Sequence, residues 1–289
     1  MAIPRLRTVL GDHAHVRPLK RGDVRSDLFE LEFIDFKPTH AAFKPMVREQ
    51  AFDVCEMAIV TYLIAKAHQK PLVLLPATIL GRFQHGFALY NVERGRIGPG
   101  DLAGRRVGIR SFTTTTGAWL RGILANDHGV DLDQVRWITF EDPHVAEYHD
   151  QTERAPNDKT IIEMLLEGEL DVALGEISND ARLKPLFGDP AAAAAQWYRR
   201  HAVVPVNHLV AVTEKLARER PDIVAELYRL LKQSKAKAGE PATPDPVPFG
   251  VEANRQSLGL MIDYAAQQSL IPRRFAVEEL FHQTTRDLN

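Results

Sequence analysis

The chain of 289 residues is 45% hydrophobic and 26% charged, which excludes disordered, collagen-like and coiled-coil proteins. Its 36 basic and 38 acidic residues give a formal net charge of -2, without the basic excess that draws proteins to nucleic acid or anionic membranes. We therefore expect no nucleic-acid partner. The single cysteine, Cys55, allows neither an intramolecular disulfide nor a thiolate metal cage, which fits a reducing compartment.

The N-terminal sequence lacks the apolar stretch and small-residue cleavage site of a secretory signal. The longest apolar run, residues 71–80, is half the roughly 20 residues that a membrane span needs. These features predict a cytoplasmic protein without a membrane partner, and they are compatible with a homo-oligomer.

The first part of the chain alternates predicted strands and helices. Residues rich in β-formers between turn signals predict strands at 5–10, 27–35, 51–58 and 71–79. Helical spacing of apolar residues and good helix formers predict helices around 38–47 and over 57–67. This alternation favours a mostly parallel sheet flanked by helices, because parallel neighbours need a crossover.

A Gly-, Asn-, Pro- and Asp-rich stretch at 92–104 predicts a connection between two lobes. Beyond it the pattern predicts strands at 106–109, 135–140, 170–174 and 208–212, and helices at 115–126, 159–167, 221–237 and 254–269. The last two helices must pack on the first lobe. The sequence thus predicts an α/β protein with one lobe at 1–91 plus 206–289, a second at 92–205, and a ligand cleft between them.

Several blocks spread over nearly the whole chain resemble the 4,5-dihydroxyphthalate decarboxylase family. They are FDVCEMAIVTYL (52–63), GRFQHGFALYN (81–91), DLAGRRVGIRSFTTTTGAWLRGIL (101–124), LLEGELDVALGE (165–176), 186–212 and 248–281. The resemblance implies a cytoplasmic, two-lobed type II periplasmic-binding-protein-like fold. It also implies non-oxidative removal of a carboxylate from a hydroxylated benzene dicarboxylate, with a small aromatic carboxylate as partner and no organic cofactor.

The chain departs from the family pattern at its N-terminal motif. Where the family has an Asp-Arg-Thr-Arg run before Pro-Leu, this sequence has Ala-His-Val-Arg at 14–17. Arg17 therefore remains as a substrate-binding candidate, and His15 takes the place of an arginine. The chain also has Ala58 and Val60 where the family prefers hydroxyls, and Phe112 where it has a tyrosine.

Glu56 follows Asp-Val-Cys at the end of a predicted central strand, where ligands collect in open α/β sheets. A carboxylate there can act as an acid or base, or it can form a structural ion pair with Arg48 or Arg82. Together with the resemblance, this position makes Glu56 a catalytic candidate.

Arg82 and His85 lie three residues apart after an apolar strand. If the turn is helical they share a face, so a guanidinium fork and an imidazole address one carboxylate. We therefore predict that Arg82 binds the carboxylate and that His85 donates a proton. The alternative is a solvated surface pair.

The hydroxyl-rich segment SFTTTTG, residues 111–117, follows a strand and opens a helix. Free N–H groups and hydroxyls at a helix N-terminus form an anion site, although Ser and Thr there also serve as simple N-caps. We predict substrate contacts for Thr115 and Thr116, and one turn later for Trp119 and Arg121. Trp119 alone is more typical of a core residue.

The remaining candidates are histidines and one carboxylate. His13 and His15, beside Asp12, resemble a metal-binding pair, but no further Cys/His cluster is readable, so we predict no metal. His208 lies in a strand that returns to the first lobe, where it is either a base in the cleft or half-buried. Glu176 ends a strand, where it either contacts substrate or pairs with Arg110.

These residues predict a cofactor-free decarboxylase. Arg82 and the Thr115 helix end bind a carboxylate, Glu56 or His208 deprotonates a phenol, and His85 protonates the ring carbon. Two alternatives stay open: a non-catalytic binding protein for small carboxylates, and an enzyme of the same fold that resembles menaquinone-pathway dehydratases.

Overall fold

The computed structural model describes residues 3–289, which form two β-sheets covered by helices. The strands are β1 (Arg5–Val9), β2 (Glu30–Phe33), β3 (Val54–Ala58), β4 (Leu72–Gly81), β5 (Ala88–Asn91), β6 (Arg106–Ile109), β7 (Arg136–Thr139), β8 (Glu153–Arg154), β9 (Val172–Leu174), β10 (Leu183–Pro185) and β11 (Val206–Thr213). The helices are α1 (Arg17–Lys20), α2 (Phe43–Glu49), α3 (Ile59–Ala67), α4 (Thr115–His128), α5 (Ile161–Glu167), α6 (Pro190–His201), α7 (Glu214–Glu219), α8 (Pro221–Lys237) and α9 (Val251–Gln267).

The first sheet has the strand order β2-β1-β3-β11-β4. Strands β1, β2 and β3 are parallel, whereas β11 runs antiparallel to both of its neighbours, β3 and β4. The late strand β11 is therefore inserted into the middle of a sheet made by the first part of the chain.

The second sheet has the order β10-β5-β9-β6-β7-β8. Strands β9, β6, β7 and β8 are parallel, and β5 and β10 form an antiparallel edge. The predicted lobe connection at 92–104 comes too late along the chain, because β5 already pairs with β9 and belongs to the second sheet. The crossing follows β4 instead.

Local sequence signals explain several helix ends. Thr160 and Glu163 form a capping box at α5, and Gly168 ends this helix in the left-handed conformation that glycine adopts readily. Asp189 caps α6, and Pro190 occupies its first turn. Helix α6 is absent from the sequence-based prediction, although its Asp-Pro-Ala run carries these signals.

Alternate residues of the strands separate two cores on the first sheet. Cys55, Met57 and Leu209 face a core that includes α3 and α9, whereas Val54 and Val210 face one that includes α8. Part of α4 from the second sheet also packs into the first of these cores. Within residues 3–289, no helix is both long and apolar enough to cross a membrane.

Candidate active site

The site is built around Glu56 in β3, which has β1 on one side and β11 on the other. Val210 is the register partner of Glu56, so His208 is its diagonal neighbour on the same face, and His208 Nδ1 lies 2.6 Å from Glu56 Oε1. From the other side, the loop after β1 brings the Gly11 N–H to 2.8 Å from Oε2. His13 Nε2 lies 3.1 and 3.0 Å from the two carboxylate oxygens.

Glu56 is almost completely enclosed, with a side-chain exposure of 1%. Burial by itself would raise its pKa, but hydrogen bonds from His13 and His208 outweigh burial and hold the pKa of the carboxyl well below its usual range. Glu56 is therefore an ionised acceptor for three donors. These donors take the place of the predicted alternative, an ion pair with Arg48 or Arg82.

Gly11 is required by this close packing. A Cβ at this position would lie 2.6 Å from His13 Nε2 and 3.0 Å from Glu56 Oε2. Any side chain here would push His13 away from the carboxylate, so the glycine fixes the approach of the loop.

The two imidazoles each keep one ring nitrogen for other partners. Since an ionised carboxylate only accepts hydrogen bonds, His13 Nε2 and His208 Nδ1 both carry a proton. His13 Nδ1 and His208 Nε2 have no hydrogen-bond partner within residues 3–289 and are not enclosed. The side-chain exposures of 23% for His13 and 19% for His208 leave both rings accessible.

Arg82 lies where β4 ends and is held between the two lobes. Its guanidinium stacks 3.9 Å above the Phe87 ring, and its Nη2 lies 3.3 Å from Thr116 Oγ1. Its Nε is buried without a hydrogen-bond partner, and none of the carboxylates in residues 3–289 lies within ion-pair distance of it. Burial lowers the pKa of this guanidinium. Arg82 thus keeps a donor and a charge for an anion.

Asn207 of β11 contacts Thr116, the hydroxyl partner of Arg82. Its Nδ2 lies 3.5 Å from Thr116 Oγ1, and its Oδ1 accepts from Gln84 Nε2 at 2.7 Å. In the sheet register His208 pairs with Ala58 at the end of β3 and with Leu80 near the end of β4, so the residues that follow these strands lie at the same edge of the sheet as the Glu56 cluster.

The N-termini of α3 and α4 meet in the same region. Thr115 Oγ1 accepts from the Val60 N–H of α3 at 3.1 Å, so Thr115 satisfies a free donor of the opposite lobe rather than pointing freely into the cleft. The N-cap of α4, Thr114, makes no side-chain capping bond. Simple N-capping therefore does not account for the hydroxyl-rich turn, and the positive end of α4 remains suited to an anion.

His85 lies in different surroundings from those that the spacing predicted. Arg82 follows an extended strand and a short 3₁₀ turn begins only at His85, so the two do not share a helical face. The His85 ring is 2% exposed and packs against Phe187 and Trp197. Burial lowers its pKa to about 4, so at neutral pH it is uncharged and unsuited to donate a proton as imidazolium.

Trp119 and Arg121 are core residues rather than cleft residues. Trp119 is fully buried, and its Nε1 donates to the Val206 carbonyl. Arg121 is also fully buried and donates to Gln268 and to the Phe112 carbonyl, and burial lowers its pKa to about 9. Through its hydrogen bond to the Phe112 carbonyl, Arg121 stabilises the turn before α4.

Arg17 and His15 do not join the Glu56 cluster. Arg17 forms a two-pronged ion pair with Asp12 on an exposed face. His15 stacks on His13 with ring centroids 5.6 Å apart, and burial lowers its pKa to about 4. In its neutral form His15 carries no positive charge with which to bind an anion.

His13 and His15, which resemble a metal-binding pair in the sequence, have different partners in the structure, since His13 bonds to Glu56. Among residues 3–289, no group of three or more His, Cys, Asp or Glu side chains is placed to hold a metal ion.

Glu176 and Arg110 follow neighbouring strands, β9 and β6, of the second sheet. Arg110 pairs with Glu141 at 3.1 Å rather than with Glu176. Burial raises the pKa of Glu176, and the nearby Arg110 opposes the rise. Glu176 stays a candidate for substrate contact.

Sequence reasoning missed His13 as a partner of Glu56, as well as Gly11 and Asn207. One signal was present: Gly11 and His13 follow a strand that neighbours β3, so their loop reaches the edge where Glu56 lies.

The chain is similar in sequence to two proteins of known name, and its structure is similar to one solved structure. The chain is 29% identical over 249 residues to 4,5-dihydroxyphthalate decarboxylase of Comamonas testosteroni, covering 81% of this chain and 75% of the relative. It is 28% identical over 210 residues to 4,5-dihydroxyphthalate decarboxylase of Pseudomonas putida, covering 67% of this chain and 81% of the relative. No family model matches the sequence.

The structure is similar to the periplasmic aliphatic sulphonate binding protein SsuA of Escherichia coli. The TM-score is 0.62 at 11% identity, over 99% of both chains. At this identity the likeness shows the fold alone, and it confirms the predicted two-lobed periplasmic-binding-protein-like architecture. Together with the two relatives, each named 4,5-dihydroxyphthalate decarboxylase, it confirms that this chain resembles the 4,5-dihydroxyphthalate decarboxylases.

Proposed function

We propose that the protein is a non-oxidative decarboxylase of a hydroxylated aromatic dicarboxylate similar to 4,5-dihydroxyphthalate. The names of its two relatives support this activity. The observation that carries the proposal is the buried, ionised Glu56 with an imidazole on each side, because such a pair can move protons without an organic cofactor.

The reaction needs a bound carboxylate and two proton transfers. Arg82, Thr116 and the positive end of α4 bind one carboxylate of the substrate. A base accepts the proton of a ring hydroxyl, which increases electron density on the ring. An acid then protonates the carbon that bears the departing carboxylate, the carbon–carbon bond breaks, and carbon dioxide leaves as the ring regains aromaticity and the phenoxide regains its proton.

His208 is the base in this proposal. Glu56 accepts three hydrogen bonds and has a strongly lowered pKa, so it is a poor proton acceptor at neutral pH. Its charge instead holds the His208 ring in one orientation and stabilises its protonated form, as a carboxylate does for the histidine of a catalytic triad.

The proposal is tested by incubating the protein with a series of mono- and dihydroxyphthalates and measuring carbon dioxide release. We expect release from a dihydroxyphthalate. Glu56→Gln keeps the side-chain size but removes the charge, so kcat should fall by about 10²–10⁴. The matched control is Glu252→Gln, which changes an exposed carboxylate paired with Arg255 and should leave kcat unchanged.

Two results would contradict the proposal. Tight binding of a hydroxyphthalate by the wild type without carbon dioxide release would favour a binding protein. Equal rates for Glu56→Gln and the control would exclude the Glu56 cluster from the reaction.

A further inference from the structure

We infer that His13 is a second catalytic residue, the acid that protonates the ring carbon, and that it shares Glu56 with the base His208. This inference rests on the proposed decarboxylase function. It replaces the prediction that His85 donates the proton.

The geometry of His13 matches that of His208. Each imidazole uses one ring nitrogen to donate to the same buried carboxylate, and each leaves its other nitrogen open. Two rings oriented in this way by one carboxylate form a matched acid and base.

The two positions differ in their surroundings. His13 contacts both oxygens of Glu56, so both oxygens face its ring and can stabilise a positive charge on it. His208 contacts one oxygen and packs edge-on against Phe43, with ring centroids 5.2 Å apart. On this geometry we place the acid at His13, which contacts both oxygens of the carboxylate, and the base at His208, which contacts one.

The other titratable groups near the pair fit this assignment. Asp12 and His15 lie beside His13, and His40 lies beside His208. Burial lowers the pKa values of His15 and His40 to about 4, so both are neutral under working conditions. Asp12 is engaged by Arg17. The Glu56 carboxylate is therefore the charged group that both imidazoles contact.

The protons balance over one turnover. The ring hydroxyl gives its proton to His208 Nε2, and His13 Nδ1 gives its proton to the ring carbon. When the bond to the carboxylate breaks, its electron pair restores the ring and carbon dioxide leaves. His208 returns its proton to the phenoxide, and His13 takes one proton from water, the single proton that decarboxylation consumes.

The test compares His13→Gln and His208→Gln over a range of pH on a substrate that the wild type decarboxylates. Glutamine keeps a donor for Glu56 but does not titrate in this range. We expect kcat to fall about 10²–10⁴-fold in both variants, with His13→Gln losing the alkaline limb of the pH profile and His208→Gln losing the acid limb. His68→Gln, at an exposed position, is the matched control. A His13→Gln variant with near-normal kcat and both limbs would overturn the inference.

A second measurement does not depend on turnover. ¹⁵N NMR of the imidazoles shows which ring nitrogens carry protons, and we expect protons on both Nε2 and Nδ1 of His13 and on Nδ1 of His208 in the wild type, with these signals altered in Glu56→Gln. A proton on Nδ1 of His13 alone would overturn the shared arrangement. Failure of every hydroxyphthalate as a substrate, with the NMR result as expected, would instead reject the proposed function and leave the hydrogen-bonded arrangement in place.

Discussion

At the scale of single residues, the hydrogen-bond partners of a buried charge separate groups that serve the chemistry from groups that support the structure. Glu56 and Arg121 are both enclosed, but their partners differ. Arg121 is bound by an amide and a backbone carbonyl, whereas Glu56 is bound by two imidazoles whose far sides are open. Only at Glu56 is the buried charge in contact with side chains, His13 and His208, that are open to a ligand.

His85→Gln is the substitution that tests the sequence-based donor. Because His85 is neutral and packed between aromatic rings, we expect turnover of a confirmed substrate to stay within a few-fold of the wild-type rate. The main effect should be on stability, on the order of 1 kcal/mol, since a flexible polar amide replaces a ring that fits its neighbours. Steady-state kinetics and urea unfolding decide it. If turnover instead slows by about two orders of magnitude while the fold stays intact, the donor role returns to His85.

The sequence allowed Glu56 and His208 to be selected individually, because each lies at a strand position typical of sites. It did not show that they touch. Their contact depends on β11 returning between β3 and β4, a pairing of residues 152 positions apart. His13 was missed for the same reason, because the metal hypothesis considered only its local neighbour His15, and its hydrogen-bond partner Glu56 is distant in sequence.

At the scale of elements, two helix N-termini from different lobes face each other, and adjacent threonines of α4 serve them differently. Thr115 accepts the Val60 N–H of α3, while Thr116 contacts Arg82 and Asn207. The sequence analysis predicted both in one anion site, since spacing alone does not tell which side chain points across the cleft.

Thr116→Val and Thr115→Val therefore form a matched pair. Thr116→Val should weaken binding of a hydroxyphthalate by about 1–2 kcal/mol, because a hydroxyl beside the anion-binding Arg82 is lost. Thr115→Val should chiefly lower stability by a similar amount, because the Val60 N–H loses its acceptor. Calorimetric titration and thermal unfolding separate the two effects. Equal losses of affinity in both variants would mean that Thr115 also contacts the ligand.

The elements that the sequence predicted well have strong end signals or long periodic patterns. Helix α8 matches its predicted range, and α4 begins at the predicted residue. The short strands β5, β8 and β10 were not predicted, because a strand of two to four residues is defined by its neighbours in the sheet and not by its own pattern.

At the scale of the whole molecule, the segment after β7 fastens the second lobe to the first. Arg48 donates to the carbonyls of Pro143 and His144, and His144 Nδ1 lies 2.9 Å from Thr61 Oγ1. Lys70 adds an ion pair with Glu147. None of these contacts lies in a regular element of the second sheet, so the pattern of strands and helices alone gave no indication of them.

Buried and half-buried histidines make the stability of the whole molecule depend on pH. Burial lowers the pKa values of His15, His40 and His85 to about 4 and that of His144 to about 3, from 6.5. Between these values and 6.5 the unfolded chain binds more protons than the folded protein. The contribution of these histidines to the free energy of unfolding should therefore be complete above about pH 6.5, and the free energy should fall as the pH drops toward 4.

Urea unfolding at intervals from pH 8 to pH 4 measures this dependence, and His144→Gln tests its origin. Glutamine keeps a polar group for Thr61 but takes no proton, so the variant should lose less stability than the wild type over the same range, by on the order of 1–3 kcal/mol. His68→Gln changes an exposed histidine and should keep the wild-type slope. A wild-type unfolding free energy that stays level from pH 6.5 to pH 4 would contradict the prediction, because four histidines held neutral by burial cannot all avoid the cost of protonation.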